Sequence, residues 1–168
     1  MNVQRKFGKT AKCLWHDRKR FMGMPLSFTR YYLVDKHDGN SLFQLRPDIL
    51  VENSPDVTME ECIIIDTKWK TIDSTRPDKH YLLDVKDMYQ LYVYGQKYRH
   101  GESIARGVDV IPKLILLYPY TEHFTEKMPP FIYDDIFDGL KVLAIPFNLV
   151  DVSTYKDQVE MILKLARA

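Results

Sequence analysis

The sequence predicts an α/β fold in which helices flank a mixed β-sheet, with residues 1–168 forming a single domain. Short apolar runs typical of buried strands recur at residues 62–65, 113–118 and 140–146. Between the first two runs lies a segment, residues 82–100, that carries the start signals of a helix. This order of strand, helix and strand is typical of an α/β layer.

A basic helix and a hairpin are predicted for the first part of the chain. Apolar side chains within residues 9–22 fall near one stripe of a helix, and basic side chains lie off that stripe. Two runs rich in β-forming residues, 28–35 and 41–53, then flank Asp38-Gly39, a dipeptide that favours a tight turn. We therefore expect these two runs to pair as a hairpin.

A central strand followed by a helix is predicted for the middle of the chain. The strand lies within residues 60–72, and its apolar run predicts burial on both faces. The helix over residues 82–100 would be capped by Asp84, with Asp87 in its favourable first turn. Because apolar and aromatic side chains surround this helix almost fully, we expect it to pack on the sheet and, opposite, on another element.

Two further strands and a helix complete the prediction. The strands lie within residues 113–120 and 140–150, separated by a long connection, and Ser153 or Thr154 would cap the last helix. The predicted organisation of the domain is a basic N-terminal helix and hairpin strand (1–41), a core (42–150) and a C-terminal helix (153–167).

Composition limits the class of protein. The chain is 45% hydrophobic and 28% charged, which excludes collagen, a long coiled coil and a mostly disordered tail. Its apolar runs are too short to span a bilayer, and its start lacks an apolar signal core, so no membrane role is predicted. Cys13 and Cys62 form no metal-type pair and no disulfide framework, which favours a cytoplasmic location.

The net charge of +1 is an average over two unlike parts. Residues 1–46 carry a balance of +7, and residues 47–168 carry a balance of −6. This asymmetry suggests a polyanion at the basic part and a cation, such as a metal ion, at the acidic part. A solvated basic face is the simpler interpretation of the charge alone.

Asp48, Asp66 and Lys68 are the residues that indicate chemistry. Asp66 and Lys68 are two apart on the predicted central strand and therefore share a face. Asp48 starts the preceding strand, so pairing of the two strands would bring both carboxylates to one edge. Two converging carboxylates repel each other, and a divalent cation removes that cost. Oxygen ligands suit Mg²⁺ or Mn²⁺, and a nearby lysine can act on water or phosphate.

A surface ion pair is the simpler interpretation of Asp66 and Lys68, because an Asp-x-Lys pattern is common. The position of the pair argues against it. Both residues directly follow the apolar run at 62–65, where a buried strand does not carry charge without a partner. We therefore favour a metal site.

A family resemblance rests on three segments in chain order: LRPDILVEN, IIIDTKWK and DMYQLYVYGQKY. They resemble the PD-(D/E)xK nuclease superfamily and, more narrowly, the nuclease domain of McrC, the cleavage subunit of modification-dependent McrBC restriction systems. A later LLYPY strand matches as well, so the resemblance covers about residues 42–150. It implies a restriction-endonuclease-like core, a mixed β-sheet flanked by helices.

The resemblance also implies roles for individual residues. Asp48 and Asp66 would bind Mg²⁺, with the main-chain carbonyl of Thr67 as a further ligand, and Lys68 would position or activate the attacking water. Gln90 and Tyr94 match the Q-x-x-x-Y feature of RecB-like members. They are four apart, so they share one face of the predicted helix.

The chain departs from the family pattern in two respects. Many superfamily members carry a glutamate on the first helix that completes the metal site, whereas here Asp17 is the only acidic residue on the predicted first helix. McrC chains are also longer, with an N-terminal region that engages the GTP-driven motor subunit McrB. This chain is expected to represent the nuclease half alone, with an McrB-like motor as partner if that region exists.

Several basic and aromatic residues have weaker signals. Contacts with DNA phosphates position a protein without reading sequence, and the candidates for them are Arg18, Lys19, Arg20 and, on the face of Asp66 and Lys68, Lys70. Trp15 and Trp69 are expected in the core rather than stacked on bases.

The sequence thus predicts a Mg²⁺-dependent DNA endonuclease, an McrC-like cleavage subunit acting in defence against foreign DNA. Two alternatives stay open. The first is a catalytically weak DNA-binding or assembly module of the same fold. The second is a RecB-like nuclease that acts on other DNA structures, such as ends or junctions.

Overall fold

The computed structural model describes residues 31–34, 41–52, 62–107, 109–133 and 139–167. These residues form seven strands and two α-helices: β1 (Tyr31–Val34), β2 (Ser41–Leu45), β3 (Ile49–Glu52), β4 (Cys62–Thr67), α1 (Val85–Arg106), β5 (Lys113–Pro119), β6 (Phe131–Ile132), β7 (Lys141–Phe147) and α2 (Tyr155–Arg167). The predicted helix over residues 9–22 lies outside the described residues.

A five-stranded mixed sheet organises the fold, with strand order β3-β4-β5-β7-β6. β4, β5 and β7 run parallel, and the two edge strands β3 and β6 run antiparallel to their neighbours. The connection from β4 to the parallel β5 contains α1, as parallel pairing requires a long crossover. The prediction of an α/β fold with a mixed sheet is confirmed.

The predicted hairpin forms, but the second run of the prediction is not one strand. β1 and β2 pair antiparallel in a sheet of their own. The chain then leaves β2 at Leu45 and starts β3 at Ile49 in the other sheet. Pro47, which lacks an N–H and has a fixed φ, lies between the two strands and explains the break.

α1 begins where the sequence predicts and ends later. The side chain of Asp84 accepts a hydrogen bond from the main-chain N–H of Lys86, so Asp84 is the N-cap. The helix passes the predicted end at residue 100 and stops at Gly107, whose φ of 71° is the left-handed conformation that suits glycine. The helix was expected to be packed on nearly all sides, but Val85, Tyr89 and Val93 are exposed among the described residues.

The alternation of side chains along β4 divides the core into two clusters. Cys62 and Ile64 lie in the cluster under α1, and Ile63 and Ile65 lie in the cluster under α2. β4 is therefore buried on both faces, as predicted, and its residue Asp66 belongs to the face that α1 covers.

The end of the chain shows two differences from prediction. The connection over residues 121–139 contains β6, a strand of only two residues without a sequence signal. The cap before α2 is Asp151, whose carboxylate accepts a hydrogen bond from the N–H of Ser153, and a short 3-10 turn then leads into the helix. Neither α1 nor α2, within the described residues, is long and apolar enough to cross a membrane.

Candidate active site

The candidate site lies at the edge of the sheet where β3 begins and β4 ends. The antiparallel register pairs Ile49 with Ile65, so Asp48 precedes β3 next to Asp66 on β4. The carboxyl ends of the parallel strands β5 and β7 meet the same edge, since Thr67 pairs with Leu117 and Leu117 with Ile145. In open α/β sheets this is the edge where ligands bind.

Asp48 is held in place by Thr67. Its Oδ2 accepts a hydrogen bond from the main-chain N–H of Thr67 at 2.7 Å and another from the Thr67 hydroxyl at 2.6 Å. The Asp48 residue is exposed, and these two hydrogen bonds orient its carboxylate.

Asp66 is a buried carboxylate, with 4% of the residue exposed. Its Oδ2 forms an ion pair with the Lys68 ammonium, but no donor in the described part of the chain reaches that oxygen in hydrogen-bond geometry. Burial raises the pKa of Asp66 to about 6, and the nearby Asp48 carboxylate adds to the effect, although Lys68 opposes it. The fold therefore presents a buried carboxylate whose charge is balanced by the Lys68 ammonium and opposed by the neighbouring Asp48 carboxylate.

Lys68 lies between three oxygen-bearing side chains from two elements. Its ammonium pairs with Asp66 on β4, lies 3.4 Å from Oδ1 of Asp87 and donates a hydrogen bond to Oε1 of Gln90 at 2.8 Å. Burial lowers the pKa of Lys68, but its contacts with Asp66 and Asp87 outweigh burial, so the pKa rises above its usual value. Lys68 is therefore a cation at neutral pH.

Gln90 and Tyr94 connect this cation to the strand that carries Asp48. The Gln90 amide donates to the Tyr94 hydroxyl at 2.9 Å, and that hydroxyl donates to the main-chain carbonyl of Arg46 at 3.0 Å. The prediction that Gln90 and Tyr94 share one helix face is confirmed. The chain of contacts ties α1 to the segment just before Asp48.

Asp87 belongs to the site, although sequence reasoning assigned it only a helix-start role. The residue is buried, and its carboxylate contacts Lys68, Lys70 and the hydroxyl of Tyr118. Helical spacing could have revealed it, because Asp87 precedes Gln90 by three positions and so lies on the same face of α1.

The remaining candidates fall into three groups. Lys70 pairs with Asp84 and lies 3.4 Å from Asp87, so its ammonium is engaged by the start of α1. Trp69, expected in the core, is 39% exposed, because the strand has ended before it. The other predicted phosphate contacts and the possible acidic substitute lie outside the described residues: Arg18, Lys19, Arg20 and Asp17.

The oxygen atoms fit a hard divalent cation. The site combines the oriented Asp48 carboxylate with the buried Asp66 carboxylate, and it offers no sulfur or imidazole ligand among its members. Within the described ranges, no group of three His, Cys, Asp or Glu side chains is arranged as a metal site. The carboxylates of Asp48 and Asp66 are therefore the oxygen donors that the structure brings together at this edge.

Comparisons with known proteins give one family. A family model described as the McrBC 5-methylcytosine restriction system component matches residues 10–119. No curated protein matches the chain. One solved structure with similarity is a refined half-complex from a tetradecameric assembly of McrB AAA+ hexamers with bound McrC, from Thermococcus gammatolerans. It is 13% identical with a TM-score of 0.49, and the match covers 83% of this chain and 28% of that chain.

Proposed function

Because the chain belongs to the family of McrBC 5-methylcytosine restriction system components, we propose that it is a metal-dependent DNA endonuclease of the PD-(D/E)xK type. The observation that carries the proposal is the convergence of Asp48, Asp66 and Lys68 at one edge of the sheet. Asp-Asp-Lys around oxygen-liganded metal is an arrangement for hydrolysis of phosphodiesters.

The metal would be held by this chain's own oxygen atoms. Asp48 and Asp66 would supply carboxylates, and Thr67 its main-chain carbonyl, to Mg²⁺ or Mn²⁺. When bound, the ion supplies Lewis-acid activation of water and neutralises charge on the phosphate. Asp48 is already oriented by the two hydrogen bonds from Thr67, and a bound cation would share the Asp66 carboxylate with the Lys68 ammonium.

Lys68 would act as a hydrogen-bond donor rather than as a base. Its contacts with Asp66 and Asp87 raise its pKa, so it carries a proton at neutral pH and has no lone pair to accept another. The ammonium can orient the attacking water and stabilise negative charge that develops on the phosphate oxygens. Gln90 holds it from the α1 side, through the 2.8 Å hydrogen bond.

The family assignment also leads us to propose an McrB-like, GTP-dependent motor subunit as the partner of the protein. The chain spans 28% of the similar solved chain. Recognition of a modified base would then belong to the partner, while the residues described above would cut the DNA backbone.

Cleavage of DNA in the presence of Mg²⁺ tests this function directly. The full chain, alone and with a purified McrB-like motor protein, is incubated with methylated and unmethylated plasmid, GTP and Mg²⁺. We expect cleavage by the wild type, none by Asp66→Ala and only a low residual rate by Lys68→Ala. Asp109→Asn, a carboxylate paired with Arg99 far along α1, is the matched control and should cut at the wild-type rate. Full cleavage by both site variants would refute the assignment.

A second candidate function follows from the small donor set. No third acidic side chain joins Asp48 and Asp66 within the described ranges, which favours a catalytically weak module that binds DNA or assembles with the partner. Calorimetric titration with Mg²⁺ and Mn²⁺ separates the two functions. Absence of heat at millimolar metal, with DNA binding intact, would favour the weak module. Cleavage of ends or junctions in place of methylated plasmid would favour a RecB-like nuclease.

A further inference from the structure

Asp87 is a buried acid that the proposed reaction does not itself use. The residue is 6% exposed, and its two oxygen atoms face different cations. Oδ1 lies 3.4 Å from the ammonium of Lys68, and Oδ2 lies 3.4 Å from the ammonium of Lys70. A buried carboxylate is costly unless it is paired, so these contacts explain how the fold tolerates an ionised Asp87.

A hydroxyl from the sheet fixes the orientation of this carboxylate. Tyr118, a buried residue of β5, donates a hydrogen bond to Oδ2 of Asp87 at 3.3 Å. Burial, together with the charge of Asp87, raises the pKa of Tyr118, so the hydroxyl remains a donor. Because Oδ2 is occupied by Tyr118 and Lys70, Oδ1 is left to face Lys68.

Lys68 needs this support because of its length and its neighbours. A lysine side chain has several rotatable bonds and loses conformational entropy when it is fixed in one rotamer. Asp66 alone pairs with the ammonium from β4, and that carboxylate would be shared with a cation if Asp66 binds metal. Asp87 and Gln90, both on α1, are then the partners that keep the ammonium in place.

We propose that Asp87 is a positioning residue, which holds the Lys68 ammonium at the Asp48–Asp66 edge and is itself held by Tyr118. The inference rests on the proposed function, because it gives Lys68 a place in DNA cleavage. Asp87 touches neither of the proposed metal-binding carboxylates in the contacts described, so it acts through Lys68.

The first arm of the test measures the position of Lys68 without DNA, metal or activity. The full chain is treated with N-acetoxysuccinimide in chelator, and acetylation of each lysine is followed by mass spectrometry. The neutral amine is the species that reacts, and Asp87 both contacts the Lys68 ammonium and raises its pKa. Asp87→Asn should therefore acetylate Lys68 about tenfold faster. Lys156, whose side chain is 81% exposed, reports the intrinsic reactivity and should not change. Asp109→Asn should leave Lys68 protected.

The second arm measures cleavage with a readout that a structural role would not move. At saturating DNA and Mg²⁺, Asp87→Asn should lower kcat about tenfold with KM for DNA unchanged, since the same contact is lost in the reacting state. Tyr118→Phe, which keeps the ring and removes the hydroxyl, should give a smaller loss of the same kind. In a Lys68→Ala background, Asp87→Asn should cause no further loss, because its effect passes through Lys68.

The outcomes separate this inference from the proposed function. Unchanged acetylation of Lys68 in Asp87→Asn overturns the positioning role whether or not the protein cuts DNA. An equal loss of activity with and without Lys68, or a rise in KM alone, also overturns it. If the wild type does not cut DNA, the proposed function fails, while faster acetylation in Asp87→Asn would still show that Asp87 holds Lys68.

Discussion

Thr67 donates two hydrogen bonds to a single oxygen of Asp48, one from its main-chain N–H at 2.7 Å and one from its hydroxyl at 2.6 Å. The pair joins the start of β3 to the end of β4, across the point where the two strands leave the ladder. Asp48, one proposed metal ligand, is therefore oriented by Thr67, whose main-chain carbonyl is proposed as another ligand. Of the two hydrogen bonds, the one from the hydroxyl can be removed by substitution.

Replacement of Thr67 by valine tests this link. Valine keeps the shape and the main-chain donor but lacks the hydroxyl, so Thr67→Val should lower the free energy of unfolding by about 1 kcal/mol. It should also weaken Mg²⁺ binding, because the Asp48 carboxylate would be less well oriented. Thr67→Ser retains the hydroxyl and serves as the control in urea unfolding and calorimetry. Equal metal affinity in Thr67→Val and the wild type would contradict the orienting role.

The raised pKa of Asp66 predicts how stability depends on pH in metal-free buffer. The pKa is about 6 in the folded protein and 3.8 for an ordinary aspartate. The folded state therefore holds a proton more tightly than the unfolded state, so Asp66 makes stability fall as pH rises from about 4 to about 6. Asp66→Asn cannot ionise and should be more stable than the wild type at pH 7.5, by about 2 kcal/mol.

This advantage should shrink as pH falls toward 4.5, where Asp66 in the wild type is protonated. Thermal unfolding in chelator at both pH values measures the difference. A constant gap between the two proteins across this range would show that the ionisation of Asp66 costs the fold nothing.

Lys68 should be the most sensitive position in the site for stability. Lys68→Met removes the cation and leaves the buried carboxylates of Asp66 and Asp87 without it, which should cost about 3 kcal/mol at neutral pH. Lys70→Met is the matched control, because the side chain of Lys70 is 49% exposed, and its loss should cost less than about 1 kcal/mol. Both variants are compared by urea unfolding.

A second substitution checks the cause of the Lys68 effect. Adding Asp66→Asn to Lys68→Met removes one of the two buried carboxylates that have lost their cation. The double variant should therefore recover part of the lost stability. No recovery would mean that the lysine stabilises the fold by packing of its aliphatic stem.

Gly95 marks a close approach between α1 and the sheet. A Cβ atom at this position would lie 2.6 Å from Cδ1 of Leu140 and 3.0 Å from Cδ1 of Leu114, and both leucines are fully buried. Gly95→Ala should therefore destabilise the protein by about 1–2 kcal/mol through overpacking, despite a gain of about 1 kcal/mol in helix propensity. Exposed Lys97→Ala is the control and should change little. A higher melting temperature for Gly95→Ala would show that propensity dominates.

Much of the fold was predictable because each buried strand carries a local apolar signal. The apolar runs of β4, β5 and β7 identify these strands in the sequence, and Asp84 identifies the start of α1. The short strand β6 and the division between β2 and β3 were missed. β6 is a strand because it pairs with β7, and its two residues carry no local strand signal. A β-rich run that is interrupted at Pro47 can continue in the same sheet or enter another, and the sequence does not distinguish these outcomes.

The candidate site was predictable only where its members are close in the sequence or on paired strands. The positions of Asp66 and Lys68 followed from the period of a strand, and that of Asp48 followed from pairing with the next strand. Asp87 was missed although its spacing from Gln90 places it on the same helix face, and its contact with Tyr118 was out of reach, because that contact depends on how α1 packs on β5. The exposure of Trp69 was missed for a related reason, since burial was assumed to continue beyond the end of β4.

The strand order has a consequence for the time course of folding. β3 and β4 pair antiparallel and lie close together in the chain, so Asp48, Asp66 and Thr67 can meet through a local hairpin. Asp87 and Gln90 lie at a similar sequence distance from Lys68, but α1 packs on β5 as well, and the parallel pairing of β5 with β4 requires closure of a much longer loop. We expect Asp48, Asp66 and Thr67 to come together early in refolding. Asp87 and Gln90 on α1 should join them only when the parallel strands pair.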